Sequence, residues 1–311
     1  MTTPPWLRRY TKFVAFSTLF LIFAGAMVTS TGSGLAVPDW PLSYGMLMPP
    51  MVGGIFYEHG HRMIAAAVGF LTVLQAIFLQ LREPQRTVRI LGWMALAAVI
   101  VQGLLGGLTV IFLLPPAISV AHAGLAEIFF CLTVSIAFLT SRTYSEVRGE
   151  PRGDSPFHGA AALVALIYLQ ILVGAAMRHL GAGLAIPDFP LAFGQLIPPI
   201  TSLKIGIHFA HRAGGVAVAI AVIAMAIRLR RYDVRHPLRQ ISSMLLLLVP
   251  VQILLGGYTI WSGKHPMITS IHVMTGALTL ATSLLLCLVA RHLSWQSARQ
   301  GSALLAREVA A

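Results

Sequence analysis

The stretch GSGLAVPDWPLSYGMLMPP, Gly32 to Pro50, returns as GAGLAIPDFPLAFGQLIPP, Gly181 to Pro199, with 12 of 19 positions identical. The correspondence continues at an offset of 150: His61 falls on His211, Arg62 on Arg212, Gln102 on Gln252 and His122 on His272. The chain is a duplication, so its fold must accommodate two copies of one unit. At one strongly polar position the copies differ, with Glu58 in the first and His208 in the second.

A chain of 311 residues, 57% hydrophobic and 10% charged, with a mean hydropathy of +0.79, is too apolar for a water-soluble globule. Eight apolar stretches, each near the ~20 residues that cross a bilayer, run over 12–31, 60–80, 89–112, 117–140, 158–177, 206–228, 238–260 and 267–290. Hydrocarbon offers backbone groups no partner, so these are helices. A membrane barrel would alternate polar and apolar residues instead. The expected fold class is therefore an all-α integral membrane protein with eight transmembrane helices. Each copy supplies four spans, an even number, so both enter the membrane in the same direction. That predicts two parallel-repeat four-helix bundles related by a pseudo-two-fold axis along the membrane normal. Residues 1–140 form the N-terminal repeat, 141–157 a cytoplasmic linker and 158–311 the C-terminal repeat.

The net charge of +12 is sorted by side rather than gathered into the basic stripe of a nucleic-acid-binding domain. Of the 22 Lys and Arg residues, 17 fall at the termini and the even-to-odd connections, while Arg62, Arg178, Lys204, Arg212 and Lys264 fall on the other side. By the positive-inside rule both termini are cytoplasmic and the duplicated loops face outward. The opening MTTPPWLRRYTKF lacks the features of a cleaved signal or transit peptide, which favours a bacterial plasma membrane and a retained first helix. Cys131 and Cys287 lie inside spans and read as buried structural thiols rather than a disulfide or a thiolate metal site.

The duplicated loops are rich in Pro, aromatic and aliphatic residues instead of the polar residues of a disordered linker, and they read as ordered lids. Asp39 and Asp188 within them suit turn capping of backbone amides. His61, His122, His211 and His272 stand near the outer ends of spans 2, 4, 6 and 8, two per copy at one depth. Ionisable groups inside a bilayer are costly and usually functional. One histidine from each of two neighbouring helices can grip a metal between them, as in helical membrane cytochromes. The donors do not cluster at zinc spacing, so two haem sites, one per repeat, are expected. Arg62 and Arg212, each directly after a ligand, are placed to contact haem propionates or to anchor at headgroups. Glu58, three residues before His61, shares its helix face and could relay protons or stabilise developing charge, or it could cap the helix. His59 points elsewhere, toward the lid or headgroups. Glu127 reads as an interhelical hydrogen-bonding group, with a place in a proton path as the alternative. His158, His179, His236, His265 and His292 lack matched partners and are left out of the site.

The duplicated Gly-Leu-Ala-x-Pro-Asp-aromatic-Pro-Leu loop, the Glu58-x-x-His61-Arg62 run, the His208-x-x-His211-Arg212 run and the His122 and His272 positions resemble the haem A synthases over nearly the whole chain. That resemblance implies oxidation of the C8 methyl of haem O to a formyl group. It implies His61 and His122 as ligands of the substrate haem iron, Glu58 as the catalytic carboxylate, and His211 and His272 as iron ligands of a haem B cofactor. Many bacterial members carry a cysteine pair in the first outer loop. This loop has Val37 and Ser43 amid its consensus and no cysteine, so the chain resembles a cysteine-free branch. Haem O synthase, a quinone or other electron acceptor and membrane lipid are the partners implied, and an oligomer is compatible with the sequence. The alternative is a two-haem b-type membrane cytochrome that transfers electrons to or from quinone without modifying haem.

Overall fold

The computed structural model describes residues 3–147 and 155–309, with side chains to Gln296 apart from Ser145. Arg148 and Arg152 of the linker, and the side chains of Arg299 and Arg307, lie outside the described residues. The elements are α1 (Pro5–Ser30), α2 (Gly53–Arg82), α3 (Arg86–Ile111), α4 (Pro116–Leu139), the short α5 (Arg142–Glu146), α6 (Phe157–His179), α7 (Leu203–Leu229), α8 (Pro237–Trp261) and α9 (Pro266–Val309). Among the described residues the β contacts are two isolated bridges, Ser43 to Met46 and Ala192 to Gln195. Among the described residues eight helices are long and apolar enough to cross a bilayer, and the chain is an all-helical, multi-pass membrane protein.

Several helices start earlier than the apolar stretches. α1 begins at Pro5 rather than at residue 12, α2 at Gly53 rather than 60, and α9 continues past 290. Proline at the first helical position, as in α1, α4 and α8, supplies a preset φ and lacks only an N–H that had no partner. Hydropathy registers the hydrocarbon-facing segment, whereas the helix runs on through polar turns. Consequently His61 and His211 lie two turns into α2 and α7, not at their first residues.

The four helices α1, α4, α6 and α9 form the centre, with α1 on α4 and α9, α6 on α4 and α9, and α4 against α9. Outside them α2 packs on α1 and α3, and α3 on α4. In the second half α7 packs on α6 and α8, and α8 on α9. Exchanging the halves leaves this pattern of neighbours unchanged. In α9, 61% of the most apolar window is buried, against at most 39% in any other span. At the contact between halves Phe130 of α4 packs on Ala277 and Ala281 of α9, with Leu19 and Ile22 of α1 beside them. The small residues allow close approach, which in lipid is what drives helix association.

Candidate functional site

Each of the four histidines lies against a glycine of the neighbouring helix. A Cβ added to Gly25 of α1 would lie 2.9 Å from His61 Cε1, and one on Gly174 of α6 would lie 2.8 Å from His211 Cε1. Likewise a Cβ on Gly106 of α3 would stand 3.3 Å from His122 Cε1, and one on Gly256 of α8 the same distance from His272 Cε1. Four times over, a missing side chain admits an imidazole. His211 of α7 and His272 of α9 lie side by side, and His61 of α2 lies within electrostatic reach of His122 of α4.

The ring centroids of His211 and His272 are 6.4 Å apart at an interplanar angle of 77°. A metal ~2.0 Å from one nitrogen of each ring, with roughly 1.1 Å more from nitrogen to ring centre, needs a span of about 6.2 Å. That separation is compatible with one metal ion held between the two rings. The Nδ1 atoms of His61, His122 and His272 are buried without a protein partner, and buried polar atoms of that kind call for an explanation such as a ligand. Among the described residues no three His, Cys, Asp or Glu side chains converge on one metal position, and two imidazoles per half would fit a haem iron better than the four-donor set of a structural zinc.

Glutamines position two of the rings. Gln170 Nε2 lies 3.1 Å from His211 Nδ1 and donates to the His211 carbonyl at 2.6 Å. Gln102 Nε2 lies 3.3 Å from His122 Nε2 and donates to its carbonyl at 3.0 Å. Partners of this kind fix ring orientation and tautomer. Gln170 has Leu21 as its counterpart, so the halves differ in this support.

Above the histidines lie the lids, residues 31–52 and 180–202. Each is pinned the same way. In the first, Asp39 accepts from Tyr44 N at 2.6 Å and Gly45 N at 2.8 Å. In the second, Asp188 accepts from Phe193 N at 2.7 Å and Gly194 N at 2.8 Å. The amides of Gly45 and Gly194 foremost, then those of Tyr44 and Phe193, hold these carboxyls below the ordinary aspartate value. Gly45 and Gly194 have φ of +69° and +72°, a region glycine enters without strain. Lid aromatics dock in notches left by a second pair of glycines. A Cβ on Gly107 would meet Trp40 Cδ2 at 2.6 Å, and one on Gly257 would meet Phe189 Cδ1 at 2.8 Å. The repeated Leu-Leu-Gly-Gly of α3 and α8 therefore does two jobs, its first glycine taking a histidine and its second a lid ring. Sequence reasoning passed over this pair, although its duplication was the signal.

The two arginines serve the lids. Arg62 donates through Nη1 to the carbonyls of Asp39 at 2.7 Å and Leu42 at 2.9 Å, and through Nη2 to Val37 at 3.2 Å. Arg212 reaches the matched carbonyls of Asp188 at 2.7 Å, Leu191 at 2.8 Å and Ile186 at 3.1 Å. Neither arginine is a simple headgroup anchor. Arg212 Nε is buried without a partner, which leaves it a donor for an acidic ligand group.

Glu58 is 4% exposed; its Oε2 accepts from Val37 N at 2.8 Å and its Oε1 from Arg62 Nη2 at 2.7 Å. His208 takes the matched amide, Ile186 N, on Nδ1 at 3.2 Å. The mismatch between the copies therefore conserves one structural task, holding the lid amide, and differs in charge and in the ion pair with arginine. His59 turns to the lid rather than the headgroups, with Nδ1 2.8 Å from Ser43 Oγ.

Glu127 Oε2 is buried with no partner, and Cys131 of α4 and Tyr168 of α6 lie within electrostatic reach of the carboxyl. Arg178, at the outer end of α6, crosses to the other half and donates through Nη2 to Ala26 O and Ser30 Oγ of α1, each at 2.7 Å. Ser30 Oγ in turn lies 3.0 Å from Ser270 Oγ of α9. Arg178 lies within electrostatic reach of His272, and His179 within reach of His122. His179 thus belongs to the neighbourhood of the site from which its lack of a matched partner had removed it.

A family model described as cytochrome oxidase assembly protein matches residues 53–284, a range that holds Glu58 and all four histidines. The protein named "Heme A synthase" from Symbiobacterium thermophilum is 30% identical over 248 residues, 76% of this chain and 80% of its own length. One of the same name from Halalkalibacterium halodurans is 28% identical over 297 residues, 93% and 97% of the two chains. A third, from Shouchella clausii, is 29% identical over 254 residues, 78% and 83%. This chain belongs to the cytochrome oxidase assembly protein family.

Proposed function

We propose that this protein is a haem A synthase, oxidising the C8 methyl of haem O to a formyl group, with His61 and His122 holding the substrate and His211 and His272 holding haem B. The observation that supports the reading is the 6.4 Å separation of the His211 and His272 rings, at which both could reach one iron, in a chain whose relatives carry the name "Heme A synthase". That shared name also supports an enzyme over the alternative of an electron-carrying cytochrome.

In this reading residues 1–140 form the catalytic repeat, 141–157 a linker and 158–311 the repeat that holds the cofactor. Both termini are cytoplasmic in the plasma membrane, and the lids face outward. Bound haem supplies the redox chemistry for a methyl-to-formyl oxidation. The protein's own groups do the rest. Glycine notches and glutamines aim the imidazoles. Arg62 and Arg212 hold the lids by their carbonyls, and the unpartnered Nε of Arg212 would be the donor for a haem propionate. Glu58, one turn from His61, presents a carboxylate at the edge of the substrate pocket, where it takes up protons released in the oxidation. His208 supplies no such charge in the second half. Haem O is the substrate, delivered by haem O synthase; water supplies the formyl oxygen, and two quinones take up the four electrons and four protons released.

Spectroscopy of the purified chain tests the ligand set. A low-spin bis-histidine haem spectrum is expected, with the haem B signal lost in His211→Ala and in His272→Ala. A colourless preparation from a haem-replete host would contradict it.

A further inference from the structure

On the face opposite the lids, a cavity of about 250 Å³ opens between the start of α1 and the junction of α4 with α5. Arg8, Arg9 and Lys12 line it from α1, with Pro5, Ser141 and Thr143, while Arg142, which borders it too, is already engaged in an interaction of its own. No described carboxylate lines it. Glu83, the acid that approaches the start of α1, is committed elsewhere, accepting from Thr3 Oγ1 at 2.6 Å and from Gln85 N at 3.1 Å. Arg8 Nε is buried without a partner. Like charges gathered around one cavity repel, so an anion that fills it relieves that repulsion and satisfies the orphaned donor.

The depth of the cavity is marked by aromatics. Trp6, 46% exposed, and Tyr10 both pack edge-on against Phe78 of α2 with centroids 5.3 Å away, and such rings sit at the headgroup level of a bilayer. Beside it Thr11 of α1 and Thr140 of α4 share a 3.0 Å hydrogen bond that ties the two helices flanking the site. It is not a product of the duplication. At the α1 to α6 offset of 149, Arg8, Arg9 and Lys12 correspond to Phe157, His158 and Ala161, so the second half has no equivalent cluster.

We propose that this cavity is a phosphate-binding site that takes the headgroup of an anionic phospholipid. A zwitterionic headgroup carries its own cation and gains less there. The site involves neither the histidines nor the lids, so it does not depend on the reading of the reaction.

Native mass spectrometry of the full chain, delipidated and offered phosphatidylglycerol, phosphatidylcholine or inorganic phosphate alone, tests it. One phosphatidylglycerol is expected to survive on the protein at activation energies that strip phosphatidylcholine, with affinity weakened at least about tenfold in Arg8→Gln/Lys12→Gln. Arg86→Gln, which removes a charge on the same face outside the cavity, is expected to change nothing, and unchanged helix content by circular dichroism shows that the double variant folds. Retention of inorganic phosphate without phosphatidylglycerol would overturn the lipid assignment. Equal retention of the two lipids, or equal loss in Arg86→Gln, would overturn the site.

Discussion

Glu58 Oε1 lies 2.7 Å from Arg62 Nη2, one helical turn away on α2, and the other oxygen of the same carboxylate takes the Val37 amide of the lid. Since His208 takes the matched amide in the second half, the substitution Glu58→His separates lid holding from charge. Hydrogen exchange at Val37 is expected to stay slow in this variant, while haem A formation falls by about 100-fold or more, the scale of a lost acid–base group. Retained activity would make Glu58 a lid-holding residue alone.

Gly174→Ala drives a methyl to within 2.8 Å of His211 Cε1. The ring is held by Gln170 and has little room to swing, so overpacking of roughly 1–3 kcal/mol is expected. The measurement is the haem absorbance per protein. Loss of the bis-histidine signal in Gly174→Ala, with Gly103→Ala as a harmless control because nothing lies within 4 Å of its added Cβ, is the expected outcome.

Arg178→Ala removes the donor that ties Ala26 and Ser30 to α6. Hydrogen bonds from a charged group contribute roughly 1.5–3 kcal/mol, so thermal unfolding in detergent is expected to move down. A split into two transitions would show that the two sets of four helices separate once the bridge is gone.

Asp39 and Asp188 carry folded-state values lowered by lid amides, those of Gly45 and Gly194 first. A depressed value means that lid stability is fully present above the unfolded aspartate value of 3.8 and is lost as the pH falls through the lower folded value. Exchange-rate corrected protection of the Tyr44, Gly45, Phe193 and Gly194 amides is therefore expected to hold down to about pH 4 and to fall below it. Asp39→Asn keeps one acceptor and is expected to flatten that dependence in the first lid alone.

Much of this architecture was legible in the sequence because duplication and hydropathy are local signals. Two copies, eight spans and four histidines at one depth all follow from spacing, and the turn-capping role of Asp39 and Asp188 follows from loop chemistry. What escaped depends on which helix meets which. The partners of Arg62 and Arg212 are lid carbonyls, which no residue type announces. Arg178 bridges α6 to α1, helices that lie in opposite halves. The nearness of Tyr168 on α6 to Glu127 on α4 likewise depends on helix packing. Helix starts were misjudged because hydropathy measures contact with hydrocarbon, whereas the backbone hydrogen-bond ladder extends through polar turns. The glycines beside the histidines carry no side chain to attract notice, yet it is their lack of one that admits the imidazoles.

The central claim is the reaction. The chain should be expressed in a host that lacks its own haem A but makes haem O, and the extracted haems separated by chromatography and identified by mass. Haem A is predicted with this chain and not with an empty vector or with Glu58→His. Haem O and haem B bound to the purified protein, with no haem A formed, would contradict the account.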